Sequence, residues 1–312
     1  MKNPSFSSRG GKASSIFQPF WGGVGVSAYF CFVVEDLSRI AAQVRRDIVR
    51  MVYLAQSGHP GGALGAADIL TALYFAHLRH KPHPWNPTGL GEDVFILSNG
   101  HICAAWYSIL ARSGYFPVSE LATFRRINSR LQGHPATKEG LPGVRVATGS
   151  LGQGFSVAIG YALGKRLAGD PHEVYVMLGD GEINEGQIWE GVLFAAHHQV
   201  GNLIAIIDRN YKQIDGDTRT VLNTDPLEAK WEAFGWEVLP LHEAHDLPTI
   251  LRTLSEARQK AHQKRPIVII AYTIMGKGVD FMENDHNWHG KPPNKDQFEK
   301  AIAQLPETLG DF

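Results

Sequence analysis

The chain has 312 residues, 44% of them hydrophobic and 20% charged, with a formal net charge of −1. That composition is globular and long enough for a sizeable core, and its near-neutral balance excludes a global field drawing the protein onto nucleic acid or an anionic membrane surface. Two cysteines, Cys31 and Cys103, stand far apart with no C-x-x-C pair, which excludes a disulfide scaffold or zinc ribbon and fits a reducing, cytoplasmic setting.

Residues 1–35 differ from the rest. Lys2, Arg9 and Lys12 precede an apolar run from Ile16 to Val34, the order of a secretion signal. Gln18, Pro19 and three glycines interrupt that run, whereas a membrane span wants about 20 consecutive apolar residues. The segment therefore reads as a poorly ordered extension. Leu37, Ile40, Ala41, Val44, Ile48, Met51, Val52 and Ala55 then recur at helical spacing and predict an amphipathic helix from about Asp36 to Gln56. "SGHPGGALG" (57–65) predicts a glycine-rich loop, and Ala66 to Leu78 a second helix. "DVFILS" (93–98) reads as a short buried strand turning through "NGH" into an alanine-rich helix. "VRVATG" (144–149) predicts a strand end before a helix from Gln153 to Leu167. "VYVML" (174–178) and "LIAIID" (203–208) are β-branched apolar runs, with a helix from Ile188 to His198 between them. "WEVLPL" (236–241) and "PIVIIAY" (266–272) continue the series around a helix from Leu247 to Gln263. The tail after Gly276 is polar, rich in Pro, Asn and His, and predicts loop.

Strands alternating with helices predict an α/β fold: a doubly wound, mostly parallel sheet with helices on both faces. Near-continuous apolar strands fit a sheet covered on both sides. The expected organisation is one domain over 36–275, with 276–312 packed on it.

The stretch "MLGDGEINEGQIWE" (177–190) ends an apolar strand in Gly-Asp-Gly and a run of carboxylates. Ligands of parallel sheets sit at the carboxyl ends of strands. Asn210 follows Asp180 by thirty positions, one strand-helix-strand excursion, so both side chains can meet at neighbouring strand tips. A carboxylate, an amide oxygen and a turn carbonyl form a hard-oxygen set suited to magnesium, which keeps open positions for phosphate. Gly181 lets a diphosphate approach the backbone, and the helix beginning nearby offers amide donors.

Gly-Asp-Gly followed thirty residues later by Asn resembles the thiamine diphosphate and magnesium motif. "SGHPGG" (57–62), "LSNGH" (97–101), "GHP" (133–135), "TGSLGQG" (148–154) and "WHG" (288–290) stand in the order used by the amino-terminal half of transketolase. The chain resembles that family from about Asp36 to Pro293. The resemblance implies a thiamine-diphosphate-binding fold and transfer of a two-carbon ketol unit between sugar phosphates, with pentose phosphates the default. Carried over by position, Asp180, Asn210 and the backbone carbonyl of Lys212 resemble the ligands of a Mg2+ for which Ca2+ or Mn2+ can substitute. His101, Gly149, Ser150, Leu151, Gly181, Asn210 and His289 resemble the residues that hold the cofactor. His59, His134 and His289 resemble the catalytic histidines of the substrate channel. Glu185 and Glu190 resemble glutamates at the subunit interface. Two positions depart from the family pattern. Lys212 stands where an aliphatic residue is usual, which brings an ammonium near the metal, and Ser150 replaces a common proline.

The groups that activate the pyrimidine ring belong, in the family, to a second, pyrimidine-binding half. The resemblance therefore implies a partner, the C-terminal (pyrimidine-binding) transketolase subunit, in an α2β2 heterotetramer, with sugar-phosphate substrates, no nucleic acid and no membrane. The α subunit of a 2-oxo-acid dehydrogenase and a non-catalytic cofactor-binding protein are the alternatives. His77, His80 and His83 share a metal-like spacing, but "KPHPW" breaks any helix there. Gly149, Gly152 and Gly154 fall short of a dinucleotide fingerprint.

Overall fold

The computed structural model describes residues 26–312, with side chains from Val34 onward. Helix α1 (Val26–Ala55) starts well before the expected Asp36. The rest of the expected poorly ordered extension, residues 1–25, lies outside the described residues. Leu37, Ala41, Val44, Ile48, Met51 and Val52 are buried along α1, the stripe that helical spacing predicts.

The glycine-rich loop predicted over 57–65 is mostly helix: α2 runs Pro60–Ala72 and is buried throughout. Proline is compatible with a first helical turn, where its missing N–H is not needed. The glycines serve packing rather than turning. A Cβ on Gly61 would stand 3.0 Å from the Trp288 carbonyl oxygen, and one on Gly65 2.9 Å from that of Ile274.

The chain continues through β1 (Val94–Leu97), α3 (Cys103–Arg112), α4 (Gln153–Leu167), β2 (Val174–Gly179), α5 (Gly186–His197) and β3 (Leu203–Asp208). A small antiparallel hairpin, β4 (Lys212–Gln213) and β5 (Gly216–Asp217), precedes α6 (Thr218–Val221) and α7 (Leu227–Ala233). Then come β6 (Glu237–Leu241), α8 (Leu247–Lys260), β7 (Ile267–Ala271) and α9 (Lys295–Gln304). The segment "VRVATG" is not a strand. Its backbone bonds locally, Val144 N to Leu141 O at 3.2 Å and Thr148 N to Pro135 O at 3.1 Å, so no ladder is available to it. The tail also departs from expectation, because it contains α9. Asn294 accepts from Gln297 N at 2.9 Å while the Gln297 side chain returns to Asn294 N at 3.0 Å, a reciprocal cap. Phe298 stacks on Tyr53 of α1 with ring centroids 4.0 Å apart, and Asp311 pairs with Arg46 at 2.7 Å, fastening the tail to the domain.

Five strands form one parallel sheet in the order β1-β2-β3-β7-β6. Alternate residues feed opposite faces. Phe95, Tyr175, Met177, Ile204 and Ile206 join the core shared with α1, α2, α3 and α8. Val94, Ile96, Val174, Val176 and Ala205 join the core under α4, α5 and α7. The doubly wound expectation is met, because both faces of the sheet are covered. No helix among the described residues is long and apolar enough to cross a membrane.

Trp236 is fully buried on the second face, 4.8 Å edge-on to Trp231, with its indole N–H donating to Val192 O at 2.9 Å. We expect Trp236→Ala to cost about 3–5 kcal/mol in urea unfolding, because it opens a cavity and removes the indole hydrogen bond. A loss under about 1 kcal/mol would show that this face is not tightly packed.

Candidate active site

Four strand tips converge on one side of the sheet. Residues after β1 (His101), β2 (Asp180, Gly181), β3 (Asn210) and β7 (Met275) line a cleft of about 280 Å³ together with Gly62, Leu151, Lys212 and His289. This is the carboxyl-end location that parallel sheets reserve for ligands.

The β2–β3 register ends with Gly179 opposite Asp208, which places Asp180 and Asn210 on adjoining tips. Both are buried and both line the cleft with Lys212. Asp180 Oδ2 accepts from Tyr211 N at 2.5 Å, and its Oδ1 is bonded by Arg209 Nη1. Burial pushes the Asp180 carboxyl up to about 6, with Arg209 pulling the other way. Asn210 is held from both ends. Its Nδ2 donates to Asp208 Oδ2 at 3.0 Å, and its Oδ1 accepts from Lys212 N at 2.9 Å. The Lys212 ammonium is paired with Asp217 at 3.0 Å, which offsets the repulsion that it would otherwise exert on a cation here.

These residues suit a cation and a polar ligand. The oxygen set is hard, and it faces a cleft with unfinished hydrogen bonding. Asn184 Oδ1 and Gln213 Nε2, both at the cleft wall, are buried without a partner among the described atoms. Both amide atoms of Asn99, next to the Gly179 backbone, share that condition. Buried polar groups are usually paired, and although unpartnered buried atoms also occur elsewhere among the described residues, those at the cleft wall stand where a polar ligand would supply partners.

Glu182, two positions past Asp180, is a buried acid that motif spacing does not single out. Its Oε1 accepts from Ser98 Oγ at 2.5 Å and Gly152 N at 2.8 Å, and its Oε2 from Gly179 N at 2.9 Å. One carboxylate thus ties the tips of β1 and β2 to the start of α4. Arg209 likewise escapes a reading by motif. Besides Asp180, it bonds Asp225 at 2.6 Å and lies 4.4 Å over the Tyr211 ring.

Four imidazoles cluster where His101 and His289 line the cleft. His59 lies 5.3 Å from His101, 6.1 Å from His134 and 5.6 Å from His289, centroid to centroid, and His101 lies 5.0 Å from His289. Each comes from a separate segment, and a glycine beside one of them explains the fit. Gly149 has φ +116°, and a Cβ there would strike the His134 ring at 2.5 Å. Burial, then the charges of His289, Arg125 and His134, drives His59 down to about 4. Burial also lowers His101, His134 and His289. Near neutral pH the four rings are therefore uncharged and able both to donate and to accept.

The other sequence candidates divide. Leu151 and Gly181 line the cleft, with Gly149 and Ser150 in the same loop as Leu151. Glu185 borders the cleft, and it and Glu190 on α5 are exposed. His77 bonds the Tyr175 hydroxyl at 2.8 Å and His80 the Tyr115 hydroxyl at 2.9 Å, which places both in packing rather than metal binding. Among the described residues no group of three His, Cys, Asp or Glu side chains is placed to hold a metal. His286, three positions before His289, lies beside Asp285 at 4.0 Å.

Residues 37–310 match the family model described as the transketolase thiamine diphosphate binding domain. The chain belongs to the transketolase family. It is 40% identical over 279 residues to a protein of Actinobacillus succinogenes named as one of the subunits of apulose-4-phosphate transketolase, spanning 88% of this chain and 97% of that one. It is 37% identical over 270 residues to a 6-deoxy-6-sulfo-D-fructose transketolase subunit of a Clostridium species, spanning 86% of this chain and 96% of the relative. The crystal structure of transketolase from Campylobacter jejuni superposes with a TM-score of 0.80 at 36% identity, covering 87% of this chain but 43% of that one. The transketolase chain thus spans nearly all of the named subunits and less than half of the Campylobacter enzyme.

The depressed histidines carry a consequence for stability. His59 titrates at about 4 when folded against an ordinary 6.5, so the unfolded chain binds the proton first. Stability is intact above pH 6.5 and declines as pH falls from 6.5 toward 4. Urea unfolding across that window should show the decline, and His59→Gln should flatten it. An equally steep decline in the variant would assign the linkage elsewhere.

Proposed function

We propose that this chain is the amino-terminal subunit of a two-chain transketolase. Together with a carboxy-terminal, pyrimidine-binding subunit in an α2β2 assembly, it transfers a two-carbon ketol unit from a ketose phosphate to an aldose phosphate in the cytoplasm. The observation that carries this reading is one cleft lined both by Asp180, Asn210 and Lys212 and by His101 and His289, with His59 beside those two rings and His134 beside His59.

Thiamine diphosphate, when bound, supplies an electron sink at an acidic carbon. Asp180, the Asn210 side-chain oxygen and the Lys212 carbonyl would hold Mg2+ against its diphosphate. That ion would act as an anchor and charge neutraliser rather than a water activator. Gly181, His101 and the Gly149–Leu151 loop would border the diphosphate and the ring joined to it. His59, His134 and His289, uncharged at working pH, can accept a proton from a substrate hydroxyl and return it to a carbonyl oxygen. Glu185 and Glu190 would face the partner, and exposed apolar side chains accompany them: Leu193 and Phe194 on α5 are 59% and 43% exposed. Large obligate interfaces are built from such residues. Relatives named for apulose 4-phosphate and for 6-deoxy-6-sulfo-D-fructose support a two-chain arrangement and leave the sugar to be found by assay.

Purified alone, the chain should bind thiamine diphosphate weakly and show no ketol transfer, whereas mixing with the carboxy-terminal subunit should restore it. Robust turnover without a partner would overturn the two-chain proposal. Asp180→Ala should weaken metal-dependent cofactor binding by roughly 100-fold or more in calorimetry, and unchanged affinity would remove Asp180 from the site. His59→Ala should lower kcat by about 10²–10⁴-fold while cofactor affinity stays within a few-fold. The reverse pattern would make His59 a cofactor ligand.

A further inference from the structure

His59 and His134 stand on loops far apart in sequence, yet their rings are 6.1 Å apart. Neither ring bonds the other, and His59 Nδ1 is buried with no partner among the described atoms. Something else fixes their spacing. Arg125 reaches both loops. Its Nη1 donates to Ser57 Oγ at 2.7 Å, two residues before His59, and its Nη2 donates to the Gly133 carbonyl at 2.9 Å, one residue before His134. A planar guanidinium with a fixed fork of donors is suited to such a bridge, and a lysine ammonium is not.

Arg125 is built to stay where it is. Its backbone takes φ +56°, a left-handed conformation that L side chains adopt at a cost, and its N–H donates to Leu131 O at 2.9 Å across the turn. Cys103 Sγ approaches the same Gly133 carbonyl at 3.2 Å, so the acceptor is held from two sides. Both acceptors of the guanidinium are uncharged, so neither neutralises it.

We propose that Arg125 is a positioning residue: it pins the Ser57–His59 segment that leads into α2 to the Gly133–Pro135 loop, sets the His59–His134 spacing, and keeps a permanent positive charge near both rings. The role rests on the ketol-transfer reading only for its catalytic consequence, because the clamp and its charge belong to this chain alone.

The surrounding groups leave Arg125 as the fixed charge. His101 and His289 face His59 from the tip of β1 and from the segment before α9. Burial lowers both, so they add little charge near neutral pH. From α3, burial pushes the Cys103 thiol up to about 12 and raises the Tyr107 hydroxyl as well, so both stay neutral. Glu139 lies near Tyr107, and Asp215 acts on His289. Arg125 depresses both His59 and His134. A protonated His134 or His59 could not accept a substrate proton, so a charge that keeps them neutral keeps them competent.

Two variants separate clamp from charge. Histidine ring titrations are followed by NMR in the isolated chain, with His59→Asn and His134→Asn identifying the resonances and circular dichroism confirming the fold. Arg125→Gln removes both functions. The His59 and His134 midpoints should rise by roughly 0.5–1.5 pH units. Arg125→Lys keeps the charge but cannot span both acceptors. Its midpoints should stay low, while kcat with the partner subunit falls at least roughly tenfold with KM little changed. Unmoved midpoints in Arg125→Gln would overturn the charge. Full wild-type kcat in Arg125→Lys would overturn the clamp. The titrations use neither substrate nor partner, so a failed ketol-transfer assay would count against the function and leave the charge role of Arg125 standing or falling on its own.

Discussion

Six consecutive residue pairs join β2 to β3, from Val174 opposite Leu203 to Gly179 opposite Asp208. Asp180 and Asn210 stand where that ladder puts them. A slip of one residue would exchange the inward and outward sets of β3 and carry Asn210 away from Asp180. The register is secure because both faces of these strands are buried, with alternate residues committed to different helical layers. Hydrophobic packing on two sides therefore fixes the position of two polar groups at the end, and the polar groups need contribute nothing to holding it.

The cleft divides into ends of different charge character. At the cation end, Asp180, Glu182 and Asp208 are all buried, and the structure sustains them with donors: Arg209 and an N–H for Asp180, three donors for Glu182, Thr273 and Asn210 for Asp208. Buried acids so supplied can keep their place without drawing water into the core. At the histidine end the opposite holds, since burial and a nearby guanidinium keep the rings uncharged. On the proposed reading, the first end grips a diphosphate and the second handles hydroxyl protons. Exposed Ile214, Val221 and Leu222 lie on the hairpin and short helix that follow Asn210, and Ile214 borders the cleft. A partner subunit seated there would cover them and complete the cavity.

Much of this is legible in the sequence because it is written in local pattern. The strands are runs of β-branched residues, the helix expected over Gln153 to Leu167 is α4, and the spacing of Asp180 and Asn210 matches one strand-helix-strand step. The failures are equally physical. Gly61 and Gly62 in "SGHPGG" look like turn residues, but they lie inside α2 with the Trp288 carbonyl against one and the Ile102 side chain against the other, a fact of tertiary packing. "VRVATG" has strand composition and no partner to pair with. The cap of α9 is visible as Asn294 followed by Gln297, and the surrounding prolines and histidines obscure it. Glu182 and Arg125 cannot be found by spacing, because their partners come from distant segments: Ser98 and Gly152 for one, Ser57 and Gly133 for the other.

On the proposed reading, the adjoining tips of β2 and β3 present a single cation site that also receives the cofactor's diphosphate. Electron paramagnetic resonance of Mn2+ bound with thiamine diphosphate to the two-subunit complex tests it most directly. The account predicts one bound Mn2+ with phosphorus hyperfine coupling from the diphosphate, and the loss of that signal in Asp180→Ala. Mn2+ bound without phosphorus coupling, or a spectrum that Asp180→Ala leaves unchanged, would contradict it.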